Sequence, residues 1–153
     1  LSKTYNMAGW RVGLAAGNAE LIRLLRLYKS QLDSSHFTPM MEAAKTALLG
    51  DQSWIQNRNL IYQSRRDIVV KTMNALGFSI EIPKASLYVW AGLPEGWNDG
   101  IAFCDALLKQ TGVSITPGVV YGESGAGYVR ISLVTSEVRL IEAMQRMTNW
   151  MKE

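Results

Sequence analysis

Between Asp51 and Gly77 the chain reads DQSWIQNRNLIYQSRRDIVVKTMNALG, with no proline and no glycine before the last residue. A breaker-free stretch of this kind predicts one helix of ~25 residues, ~37 Å long, about the diameter of a small domain. Its apolar residues fall on two adjoining faces, Ile61, Ile68, Thr72 and Leu76 beside Tyr62, Val69 and Met73, so it is expected to bridge two layers or two domains. What lies on either side differs in kind. Ahead of it, NAELIRLLRLYKSQL has helical spacing behind an Asn18 cap, and a second helix begins near Pro39 and stops at Gly50. After Gly77, FSIEIP and ASLYVWAGLP read as strands, IAFCDALLKQTG as a helix, VSIT and YVRISLV as strands, and SEVRLIEAMQRMTNWMK as a closing amphipathic helix. The second half is therefore expected to be a compact α/β unit and the first a helical one.

Composition narrows the function classes. The 153 residues are 48% hydrophobic and 19% charged, the balance of a globular domain. The net charge of +3 is spread among 16 basic and 13 acidic residues with no long run of either sign, which offers no case for nucleic acid or an anionic membrane as partner. Cys104 is the single cysteine, so no internal disulfide forms, and its place in IAFCDALL reads as core rather than reactive thiol. Together with the lack of a signal-peptide layout at the amino terminus, this favours a cytoplasmic location. One histidine, His36, supports neither a metal site nor a Ser/His nucleophile pair. The segment GVVYGESGAG lacks the Gly-Lys-Ser/Thr close of a phosphate loop and reads, on composition alone, as a mobile surface loop.

Three cations remain: Lys3 in LSKTYNMAGWRVG, Arg11 in the same stretch and Arg130 in YVRIS. Each alone reads as a solvated charge. In context, SKTYNMAGWRVG resembles the lysine segment of the class I and II aminotransferases, fold-type I pyridoxal phosphate enzymes, with Lys3, Gly9, Arg11 and Gly13 on the fixed positions. IPKASLYVWAGLP resembles the family's Pro-x-(Ala/Gly)-(Ser/Thr)-φ-Tyr segment, and ITPGVVYGESGAGYVRISLV is similar to its Thr-Pro-Gly…Arg terminal motif. The three lie in the family's order and cover nearly the whole chain.

The resemblance implies a role for each cation. Lys3 would be the catalytic lysine that bonds to the aldehyde of pyridoxal 5'-phosphate and later carries a proton to and from the substrate α-carbon. Arg11 would bind the cofactor phosphate. Arg130 would grip the substrate α-carboxylate through two parallel hydrogen bonds, and the glycine-rich loop before it would let the chain turn back to present it. It also implies the C-terminal part of the fold-type I architecture, α/β overall, with an α+β small domain. Residues 1–50 would be the remnant of the large cofactor domain and residues 51–153 the small domain with its connecting helix. The parts that hold the cofactor's pyridine nitrogen, 3' oxygen and much of its phosphate would lie ahead of Leu1, so the chain by itself is expected to be inactive.

The activity implied is transfer of an α-amino group between an amino acid and a 2-oxo acid, in a homodimer, with wording that leans toward the diaminopimelate, alanine and aspartate branches. A carbon–sulfur β-lyase using the same cofactor is the nearest alternative. A cofactor-bearing regulator fused to a DNA-binding domain is a further one, and a non-catalytic folding or oligomerisation fragment is the alternative of another class.

Overall fold

The computed structural model describes residues 1–152. They form two compact units, Leu1–Asn57 and Arg58–Glu153, whose boundary falls inside the long helix read from the sequence.

In the first unit a turn-rich lead-in and one 3-10 turn, Ala8–Trp10, precede α1 (Ala19–Leu32) and α2 (Thr38–Leu49). α1 starts where the sequence puts it, because the Asn18 side chain accepts from the backbone N–H groups of Glu20 and Leu21, two donors the helix cannot satisfy itself. In α2, Pro39 occupies the first turn, where its missing N–H costs nothing, and the helix gives way at Gly50. The apolar residues of this unit are mostly exposed. Met7 and Ala44 are its buried members, and α1 buries none of its residues.

α3 (Ser53–Ala75) follows Asp51, whose carboxylate accepts from the backbone N–H and the hydroxyl of Ser53. In the second unit the chain then lays down β1 (Tyr88–Gly92), α4 (Gly100–Thr111), β2 (Thr116–Pro117), β3 (Tyr128–Ser132) and α5 (Glu137–Lys152). The three strands form one antiparallel sheet in the order β1-β3-β2, with Trp90 and Thr116 both in register with Arg130. Asp99 caps α4 by accepting from Ile101 and Ala102, and Gly112 ends it in the left-handed conformation at φ 71°.

Alternation along the strands sorts the sheet into two faces. Val89 and Ala91 of β1 and Val129 and Ile131 of β3 are buried in a single cluster with Val69 and Met73 of α3, Phe103 and Leu107 of α4, and Leu140, Met144 and Met147 of α5. Phe103 is the hub: it is fully buried, and its ring meets Phe78 at 5.5 Å, Trp97 at 5.1 Å and Trp150 at 5.7 Å.

Three expectations change. Of VSIT only Thr116 pairs, in the two-residue β2. FSIEIP is not a strand, because Ser79 alone pairs, exchanging two backbone hydrogen bonds with Gly92 at the end of β1. By Pro83 the chain has turned to α3, where Arg66 Nη1 donates to the Pro83 carbonyl at 3.1 Å. The glycine-rich segment is not a loose loop. It winds into 3-10 turns over Gly118–Tyr121 and Glu123–Gly125, with the two glycines Gly118 and Gly125 pressed backbone to backbone. A Cβ on Gly118 would also meet the Tyr128 carbonyl at 2.8 Å and the Trp90 ring at 2.9 Å, so only glycine fits.

Replacing Phe103 by alanine removes the ring on which three others pack. Phe103→Ala is expected to destabilise the chain by about 3–5 kcal/mol in equilibrium urea unfolding.

Candidate functional site

In the first unit, Lys3 lies in a turn closed by the Tyr5 N–H, which donates to the Leu1 carbonyl at 3.0 Å. Tyr5 anchors that turn: its hydroxyl donates to Gln52 Oε1 at 2.9 Å and its ring lies 6.2 Å from Trp54. Lys3 itself is exposed, on a backbone held from the side by its neighbour. Arg11 ends the 3-10 turn in the left-handed conformation, φ 52° and ψ 38°, an uncommon state for a residue with a Cβ. Three contacts hold it there. Its N–H and its Nη1 both point to the Ala8 carbonyl, and its own carbonyl accepts from His36 Nε2 at 3.2 Å. His36 is thereby accounted for as a backbone anchor, and the described residues contain no group of three or more His, Cys, Asp or Glu able to hold a metal ion.

In the second unit, Arg130 sits at the middle of the central strand, on the face opposite the core. Its guanidinium carbon is 4.2 Å from the centre of the Tyr88 ring and 4.7 Å from that of Tyr121. Its Nε is buried and has no hydrogen-bond partner, and among the described residues no carboxylate pairs with the side chain. Aromatic faces stabilise the cation through the ring quadrupole without using any of its N–H donors. Trp90 completes the arrangement, stacked on Tyr128 at 5.6 Å and meeting the edge of Tyr121 at 5.8 Å.

Lys3 and Arg11 therefore share one unit, and Arg130 belongs to the other. The three are a primary amine, a guanidinium with no acid partner among the described residues, and a second such guanidinium beside two aromatic rings. The two tyrosines are what sequence reasoning left out. Both stand in the quoted motifs, and the parity of Tyr88 with Trp90 places it on the face of Arg130, but that parity only becomes visible once β1 is paired with β3.

A family model described as aminotransferase class I and II matches residues 1–147. The chain belongs to that family. LL-diaminopimelate aminotransferase of Desulforudis audaxviator is 48% identical over 147 residues, covering 96% of this chain and 37% of the relative. The LL-diaminopimelate aminotransferase of Dehalococcoides mccartyi strain 195 is 44% identical over 150 residues, 98% of this chain and 38% of its own length. Among solved structures, an aminotransferase from Staphylococcus aureus superposes with a TM-score of 0.91 at 32% identity over 99% of this chain and 40% of that one. A probable N-succinyldiaminopimelate aminotransferase from Thermus thermophilus gives 0.90 at 31% identity over 97% and 39%. The chain thus has the C-terminal part of the fold-type I architecture and spans less than half the length of these relatives.

Cys104 is buried in α4, and burial, helped by the charges of Asp105 and Asp99, pushes its thiol from 9.0 up to about 11. A raised pKa favours the neutral form in the folded chain, so this contribution to stability is complete below about pH 9 and is lost as pH rises through about 11. The same shift leaves about a hundredth of the thiolate an unfolded cysteine would carry at pH 8. Alkylation by iodoacetamide at that pH is expected to be at least about 100-fold slower in the native chain than in denaturing urea, followed by mass spectrometry.

Proposed function

We propose that the protein carrying this chain is a pyridoxal 5'-phosphate-dependent aminotransferase that moves an α-amino group between an amino acid and a 2-oxo acid. Arg130 carries the reading: a guanidinium steadied by two rings, with no acid partner among the described residues, is suited to receive a carboxylate. The relatives' names extend it to LL-diaminopimelate as amino donor. They also weight it toward transfer over β-elimination.

The residues of the first unit suit the cofactor by the chemistry of their donors. The Lys3 amine would hold its aldehyde, and Arg11, without an acid partner among the described residues, would hold its phosphate. When bound, pyridoxal 5'-phosphate supplies an electron sink for the charge that develops at the substrate α-carbon. Arg130 then does the orienting. Two parallel hydrogen bonds to the substrate carboxylate fix the direction of the bond from the α-carbon to its hydrogen, which turns a search over rotations into a single geometry. The Lys3 Nζ accepts that proton as general base and returns it as general acid. The turn closed by Tyr5 fixes the backbone from which that amine works. Residues 1–50 as part of a cofactor domain, residues 51–153 as the small domain, a homodimeric protein and a cytoplasmic location complete the proposal.

Borohydride reduction of the cofactor-loaded full-length protein, with peptide mass analysis, is expected to place a pyridoxyl adduct on Lys3. An adduct on Lys29, Lys45 or Lys84 would refute that assignment. Arg130→Lys in the same protein is expected to raise KM for the amino acid by at least about tenfold while cofactor absorbance stays near normal, because an ammonium cannot make the two-pronged contact. Loss of cofactor with unchanged KM would exchange the roles of Arg130 and Arg11.

A further inference from the structure

Arg130 raises a question that its assignment to a carboxylate does not answer. A cation at mid-strand is usually steadied by an acid, yet an acid here would occupy the donors that the substrate needs. The structure supplies another solution. Tyr88 lies two residues from Trp90, the register partner of Arg130, and so stands on the same face of the sheet. Tyr121 comes from the end of the 3-10 turn that Gly118 begins, and its ring is braced by the edge contact with Trp90. Both ring centres are within 5 Å of the guanidinium carbon, inside the range of about 6 Å over which a ring face attracts a cation. The Nε is buried without an acceptor among the described residues, so the guanidinium is held by the rings and not by hydrogen bonds.

We propose that Tyr88 and Tyr121 are positioning residues that hold the Arg130 guanidinium by their ring faces, so that its terminal donors stay free to take the substrate carboxylate. This rests on the assignment of Arg130 to that carboxylate. The rings replace an acid because they stabilise the charge and leave every donor unspent. The essential feature is the aromatic face and not the hydroxyl, since it is the ring centres that lie 4.2 and 4.7 Å from the guanidinium carbon.

The test compares Tyr→Phe and Tyr→Leu at both positions. In the 153-residue chain, the Arg130 Nε–H resonance is followed by NMR during titration with propionate, a carboxylate with no amino group. Arg130→Gln identifies the resonance. The wild type is expected to show an upfield, ring-shifted Nε–H that moves on saturation. Tyr88→Phe and Tyr121→Phe are expected to keep the shift and to bind propionate within about twofold of the wild type. Tyr121→Leu and Tyr88→Leu are expected to lose the shift and to weaken binding by about tenfold. Tyr121 is 50% exposed, so its leucine variant removes a ring without opening the core, and the backbone spectrum checks that it stays folded.

In the full-length protein the leucine variants are expected to raise KM for the amino acid by a similar factor with kcat changed less than about threefold. If propionate leaves the wild-type Nε–H unmoved, the carboxylate assignment fails and this role with it. If propionate binds at Arg130 but Tyr121→Leu binds it equally well, or a phenylalanine variant binds it as poorly as a leucine one, the positioning role alone is overturned.

Discussion

Strand parity is the constraint on which the second unit depends. Val89, Ala91, Val129 and Ile131 must face the helices, and the same two strands send Tyr88, Trp90, Tyr128 and Arg130 to the other side. A slip of one residue would bury the guanidinium and expose the core, so the hydrophobic drive to bury four small apolar side chains is also what aims the arginine. Packing and chemistry are here two outcomes of one register. The core around Phe103 secures the site without touching it, because whatever holds β1 and β3 in that pairing holds Arg130 opposite Trp90.

The first unit works differently. It has little buried apolar surface, and its lead-in stretch is shaped by local hydrogen bonds: Tyr5 to Leu1 and Gln52, Arg11 to Ala8, His36 to the Arg11 carbonyl. A backbone held in the left-handed region at Arg11 costs of order 1 kcal/mol and persists only where surrounding contacts require it. The strain lies at the residue whose side chain the family motif singles out, and the solitary histidine, which the sequence could only call useless for metal or nucleophilic chemistry, supplies one of the contacts that sustain it.

How much of this was legible in the sequence follows from the range of the forces involved. Asn18 and Asp99 as caps, Gly50 and Gly112 as stops, and the long α3 are local effects, and spacing and residue type reveal them. The alternation of FSIEIP is equally local but misleads, since a strand exists only where another backbone accepts its hydrogen bonds, and only Ser79 finds one. The aromatic setting of Arg130 is invisible for the same reason: Tyr88, Tyr121 and Arg130 are far apart in the chain and meet only after the sheet forms. The roles of Lys3, Arg11 and Arg130 were suggested by likeness to a motif and not by composition or periodicity, which leave all three as ordinary solvated cations.

Gly118 and Gly125 show how such a site constrains change in the sequence. Each fills the space that a Cβ on the other would need, so the two are locked as a pair: replacing either brings a collision, and replacing the second cannot relieve the first. Between them, Gly122 needs glycine only for its backbone angle, φ 125°, and Glu123 and Ser124 face solvent. The segment therefore divides into three positions closed to variation, two by packing and one by backbone angle, and a tip at Glu123 and Ser124 open to it. Lineages of such chains could alter the character of the tip, in charge or in size, while the frame that delivers Tyr121 to Arg130 stays the same.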